Sequence, residues 1–77
     1  MAKAYVLINT EMGRENDVLQ ALKQIPNVVE AYAIYGVYDV IAKVEADSLE
    51  KVKEVISNRI RRIEYVRSTL SMIVTEP

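Results

Sequence analysis

Neither cysteine nor histidine occurs in the 77 residues, and that double absence constrains the fold more than any motif does. A chain this short buries only about 60% of the surface its unfolded form exposes, while ordering it costs roughly 1.5 kcal/mol per residue. Domains of this size generally carry disulfides, a structural metal or a partner subunit. Without Cys there is no disulfide, and without Cys or His a structural zinc site lacks its preferred ligands. Association with another chain is the remaining route. The same absence removes the commonest general base and the thiol nucleophile, leaving enzymatic chemistry without its usual tools. Nothing in the sequence calls for a cofactor.

Charge and hydropathy narrow the class further. Lys and Arg number 10 against 11 Asp and Glu, a net charge of −1, so no global field draws the chain to nucleic acid. Apolar runs stay short of the ~18 residues of a membrane span, and no basic segment leads into a long apolar core at the N-terminus. One cytoplasmic domain, residues 1–77, is expected.

Residues 4–9 (AYVLIN) are β-branched and aromatic-rich and read as a strand. Val18, Leu19, Leu22 and Ile25 then mark one stripe of a helix, with Glu15 and Asp17 in its first turn, Lys23 in its last, and Pro26 as its stop. Residues 28–35 (VVEAYAIY) and 38–44 (YDVIAKV) read as strands joined through Gly36 and Val37 in an antiparallel hairpin. Asp47 and Glu50 have capping-box spacing, with Asp47 as the cap. Leu49, Val52, Val55, Ile56, Ile60 and Ile63 give the second helix its buried face. Residues 66–75 (VRSTLSMIVT) form the last strand. A faint repeat relates residues 25–32 to residues 63–70, each a helix end, a turn and a strand start. The order β-α-β-β-α-β predicts an α+β, ferredoxin-like sandwich: a four-stranded antiparallel sheet with both helices on one face.

The other face of such a sheet is normally polar, and here it is not. Ala4, Val6 and Ile8 alternate with Tyr5 and Leu7. Val29, Ala31, Ala33 and Tyr35 oppose Val28, Tyr32 and Ile34, and Val66, Leu70, Met72 and Val74 oppose Ile73. Two helices cover one side, so the second would expose several hundred Å2 of apolar surface, beyond what monomers usually show. A homodimer packed sheet to sheet, in the manner of a dimeric α/β barrel, is the expectation.

Residues 31–44, AYAIYGVYDVIAKV, carry a strand ending at glycine, an aromatic-Asp pair and an apolar strand. This segment resembles the G-x-Y-D hairpin of the Lrp/AsnC (feast/famine) regulators, and the flanking IPNV at 25–28 and IEYVRSTL at 63–70 fit the same pattern. The whole chain is similar to the ligand-sensing (RAM) domain of that family, standing alone. The family's transcriptional regulators place a helix-turn-helix before this domain, and this sequence begins at the first sensing-domain strand, so direct DNA binding is not expected. The resemblance implies dimers that assemble further, commonly to octamers, with an amino-acid effector between dimers and a full-length Lrp/AsnC regulator as a partner. The function it implies is modulation of transcription or metabolism through assembly.

Within that frame Gly36, Val37, Tyr38 and Asp39 are candidate ligand contacts. Glycine permits a positive φ and a close approach to its amide. Asp39 offers an acceptor for an α-ammonium group, and exposed N–H groups suit an α-carboxylate; ordinary hairpin chemistry, with Asp39 capping a neighbouring N–H, is the alternative. The resemblance places Ser68, Thr69 and Leu70 near the effector pocket, where hydroxyls bind polar groups; strand positions open to solvent are the plain reading, favoured for Ser71. Tyr32, Tyr35 and Tyr38 suit an interface better than base stacking, which lacks interleaved cations here. Arg59, Arg61, Arg62 and Arg67 form a basic stretch opposite acidic Glu45, Asp47, Glu50 and Glu54, a pattern suited to subunit contacts or solvation more than to nucleic acid. The competing functional class is a small monooxygenase- or isomerase-type enzyme on the same fold, an analogy of fold alone. A purely structural oligomerisation domain is the other.

Overall fold

Strands with alternating side chains and helices with one apolar stripe bury their faces against each other, and the computed structural model, which describes residues 1–75, shows that arrangement. The elements are β1 (Ala2–Thr10), α1 (Glu15–Lys23), β2 (Val28–Ala33), β3 (Val40–Ala46), α2 (Leu49–Val55), a π-helical stretch Ile56–Ile60, and β4 (Val66–Ile73). The sheet order is β2-β3-β1-β4 and every adjacent pair is antiparallel. Both β-α-β halves thus interleave in one ferredoxin-like sheet, α1 packing on β2 and β3 and α2 on β3 and β1.

The core lies between helices and sheet. Ala4, Val6 and Ile8 of β1 meet Val40, Ala42 and Val44 of β3, and Val18, Leu22, Ile25, Val52, Val55, Ile56 and Ile60 cover them from the helical layer. Ile25 is buried although α1 ends at Lys23; its N–H donates to the Leu22 carbonyl oxygen at 3.0 Å, which carries the apolar stripe past the helix end. Leu19 is only partly buried.

Several local expectations are corrected. The cap of α2 is Ser48, not Asp47: Ser48 is extended (φ −139°, ψ 159°) and its side chain accepts from the Lys51 N–H at 3.1 Å. The cap sits one residue later than the Asp47–Glu50 spacing implied, and that register puts Lys51 where a capping box needs Glu. The second helix is not uniformly α-helical; Arg61 N–H reaches back to the Ile56 carbonyl oxygen at 2.9 Å, an i to i+5 bond that widens the last turn. Leu49, the first helical residue, is exposed rather than buried.

The β2–β3 connection is longer than a tight glycine turn and spans residues 34–39, closed by Ile34 N–H donating to the Asp39 carbonyl oxygen at 2.9 Å. Gly36 therefore needs no left-handed backbone. The glycine with a positive φ is Gly13, at +79°.

Two β-bulges alter which side chains share a face. One falls between Val28 and Glu30, so Val28 packs toward the core with Ala31 instead of opposing it. The other shifts β4 against β1, where Asn9 pairs with Ser68 but Thr10 pairs with Val66. Val66 is thereby turned to the helical side, away from Leu70 and Met72, and Arg67 is left over as the bulged residue.

Candidate functional site

The end of β1 is where chemistry-bearing side chains converge. Asp39 closes the β2–β3 connection, and its carboxylate accepts from the Thr10 backbone N–H at 2.9 Å and from the Thr10 hydroxyl at 3.4 Å. Its own N–H donates to the Ile8 carbonyl oxygen at 3.0 Å. Asp39 thus pins the connection to the end of β1, and the N–H its carboxylate holds is not a neighbouring one in the hairpin but that of Thr10, 29 positions away in sequence. All of these bonds from Thr10 use one carboxylate oxygen, Oδ2.

Beside this clamp lies a shallow depression of about 380 Å3 lined by Asn9, Thr10, Asp39, Arg67 and Ser68. Asn9 donates from Nδ2 to the Ser68 hydroxyl at 3.4 Å, tying β1 to β4 across its floor. Arg67 makes no ion pair or side-chain hydrogen bond among the described residues.

Of the residues expected to contact a ligand, Asp39 and Ser68 are brought together here. Gly36, Val37 and Tyr38 lie in the connection but not on the depression. Val37 is 86% exposed, and its neighbour Tyr35 is fully exposed. A Cβ at Gly36 would meet no described atom within 4 Å, so nothing in the single chain demands glycine there. Thr69 pairs with Ile8 and faces the helical layer, where its hydroxyl accepts from Arg61 Nε at 3.3 Å. Leu70 pairs with Leu7 on the open face. No motif links Thr10 or Arg67 to this place, and the β4 bulge beside Arg67 leaves no mark on apolar alternation.

The open face of the sheet carries Tyr5 and Leu7 from β1, Tyr32 from β2, Ile41 from β3, and Leu70 and Met72 from β4, as the registers require. Tyr5, Tyr32, Leu70 and Met72 are exposed. A polar border flanks them. Lys43 reaches Glu45 at 3.3 Å and Glu30 at 3.8 Å, and Tyr32 donates its hydroxyl to Glu30 at 3.0 Å. The hydrogen bond to Glu30 raises the Tyr32 pKa, and the bond to Glu45, followed by Tyr5, raises that of Lys43.

On the helical side of the same sheet end, the turn into β4 holds Tyr65 at φ +77°, a left-handed conformation costly for a bulky side chain. Its carbonyl oxygen accepts from Glu11 N–H at 2.9 Å, and the Arg14 guanidinium lies 4.4 Å from its ring centroid. These contacts hold the turn against the strain.

Comparison with known proteins places this architecture. A family model described as the Lrp/AsnC ligand binding domain matches residues 3–77. The HTH-type transcriptional regulator FL11 of Pyrococcus furiosus is 31% identical over 71 residues, covering 92% of this chain and 46% of that protein. A homocitrate synthase of Sulfurisphaera tokodaii is 40% identical over 57 residues, 74% of this chain and 12% of that enzyme. The crystal structure of FFRP-DM1 superposes with a TM-score of 0.91 at 39% identity, covering 96% of this chain and 99% of that one. The chain spans about half the length of the first curated relatives it matches. With the fold and the full-length family match in agreement, the chain belongs to the Lrp/AsnC ligand binding domain family.

Proposed function

We propose that this chain is a non-catalytic, amino-acid-sensing and oligomerisation module that acts in the cytoplasm through ligand-dependent assembly. The observation that carries the reading is the depression at the end of β1, which sets the acidic Asp39, the basic Arg67 and the hydroxyl of Ser68 around one space. That is the complement of a small zwitterion. The space is shallow in one chain, and the exposed Tyr35, Gly36 and Val37 stand nearby in the connection that Asp39 anchors. Sheet-to-sheet dimers supply the first assembly step. A second dimer that docks on the connection completes the pocket and brings Gly36, Val37, Tyr38, Thr69 and Leu70 into the ligand's surroundings, with an octamer as the closed form. A ligand that binds only the completed pocket stabilises that state by mass action.

The relatives support a regulatory rather than a catalytic role, since most are transcriptional regulators that share this domain. Native mass spectrometry with and without each common amino acid tests the reading. Oligomers whose stoichiometry or ligand occupancy changes with one amino acid are expected. Stoichiometry and thermal stability unmoved by all of them contradict it.

The segment shared with a homocitrate synthase favours a second reading, in which the module's partner is an enzyme rather than a DNA-binding regulator. Mixing the chain with a full-length Lrp/AsnC regulator from the same cell and measuring the mass of the product separates the two: a mixed assembly supports the regulator.

A further inference from the structure

Arg67 is the residue the β4 bulge displaces. In a regular strand, neighbours such as Arg67 and Ser68 point to opposite faces of the sheet. Here both line the same depression, at the point where the pairing slips from Asn9–Ser68 to Thr10–Val66 and leaves Arg67 outside the ladder. Bulges re-aim side chains in this way. Arg67 and Asp39 share that depression without approaching within 4.0 Å. Both bonds that the Asp39 carboxylate accepts from Thr10 fall on Oδ2, which leaves Oδ1 as an acceptor. The Asp39 carboxylate, fixed by Thr10, and Arg67, which has no ion-pair or side-chain hydrogen-bond partner among the described residues, thus border one space large enough for a small molecule.

We infer that Arg67 is the carboxylate-binding residue of the site, holding the ligand's acid group while Asp39 takes its ammonium group. This rests on the amino-acid-sensing reading and adds to it a residue and a chemical requirement. The planar guanidinium suits a carboxylate through two parallel hydrogen bonds. The amine left when the carboxylate is removed forfeits both bonds, and an amino-acid amide keeps one acceptor but loses the charge and the paired geometry, so the free acid is the form that binds best.

Isothermal calorimetry on the whole chain tests the assignment. The twenty amino acids are titrated singly, and the best binder is then compared with its amide in wild type and in Arg67→Met. The expected result is binding of the free acid that weakens about tenfold or more in Arg67→Met, a size ordinary for a lost charged hydrogen bond. The amide should bind wild type more weakly than the free acid does, and its further loss in Arg67→Met should be smaller than the acid's. Unchanged circular dichroism and assembly mass show that the variant is intact. Equal affinity of acid and amide for wild type overturns the assignment without any variant. So does an undiminished affinity in Arg67→Met, and in both cases the sensing reading stands. Absence of binding by every amino acid to wild type overturns both.

Discussion

Asp39 serves the fold whatever else it does. Thr10 is 7% exposed, and its N–H is satisfied by the Asp39 carboxylate at 2.9 Å. Asp39→Ala leaves that donor unpaired in a nearly dry position and should cost about 1–3 kcal/mol, read as a lower midpoint in urea. A change below half a kilocalorie would mean that the clamp is dispensable. Gly36 presents the opposite case. Its backbone is not left-handed and a Cβ there meets open space, so Gly36→Ala should leave the stability of the subunit unchanged or raise it by up to about 1 kcal/mol. If the substitution still disrupts assembly or ligand binding, the glycine serves the approach of another molecule. A loss of subunit stability would show a constraint within the chain. Both outcomes come from urea titration alongside light scattering.

At the scale of elements, Ser48→Ala should destabilise by about 1 kcal/mol, the ordinary worth of a helix cap, whereas Asp47→Ala should cost less. Paired thermal melts distinguish them, and the reverse order would restore Asp47 as the cap. The elements themselves were legible because their apolar periods are clean: Ala4, Val6 and Ile8 against Tyr5 and Leu7 define β1, and Val18 and Leu22 define α1. What stayed hidden has a common physical cause. A bulge or a π turn inserts one residue without altering composition, so the slips at Val29 and Arg67 and the i+5 bond from Arg61 to Ile56 cannot be read from periodicity. The site divided in the same way. Asp39 and Ser68 stood out by motif, but the partner that holds Asp39 is Thr10, 29 positions away. Arg67 borders the depression at the bulge, where the ladder skips it. Thr69, singled out with Ser68, faces the opposite side of the sheet because alternate strand residues must.

On the scale of the whole molecule, the decisive feature is the uncovered sheet face, where Tyr5, Leu7, Tyr32, Ile41, Leu70 and Met72 form an apolar centre within a charged border. Leu70 is exposed in the single chain, so Leu70→Asp should cost the isolated subunit little. A carboxylate buried at a sheet-to-sheet contact is far more expensive, and self-association should weaken about a hundredfold or more; sedimentation velocity at graded concentrations reads this. The border adds a pH dependence. The raised values of Tyr32 and Lys43 mean that their protonated forms are favoured in the folded state. That contribution is whole below their ordinary values, about pH 10, and is withdrawn as the pH rises through the raised ones. Folding stability measured by urea titration should keep this contribution at pH 7 and pH 9 and lose it above about pH 10; a loss already between pH 7 and 9 would assign the effect to other groups. The most direct test of a shared sheet face is the mass in solution, by light scattering behind a sizing column at micromolar concentration. A folded species of two or more chains is predicted, and a folded particle of 8.8 kDa would contradict it.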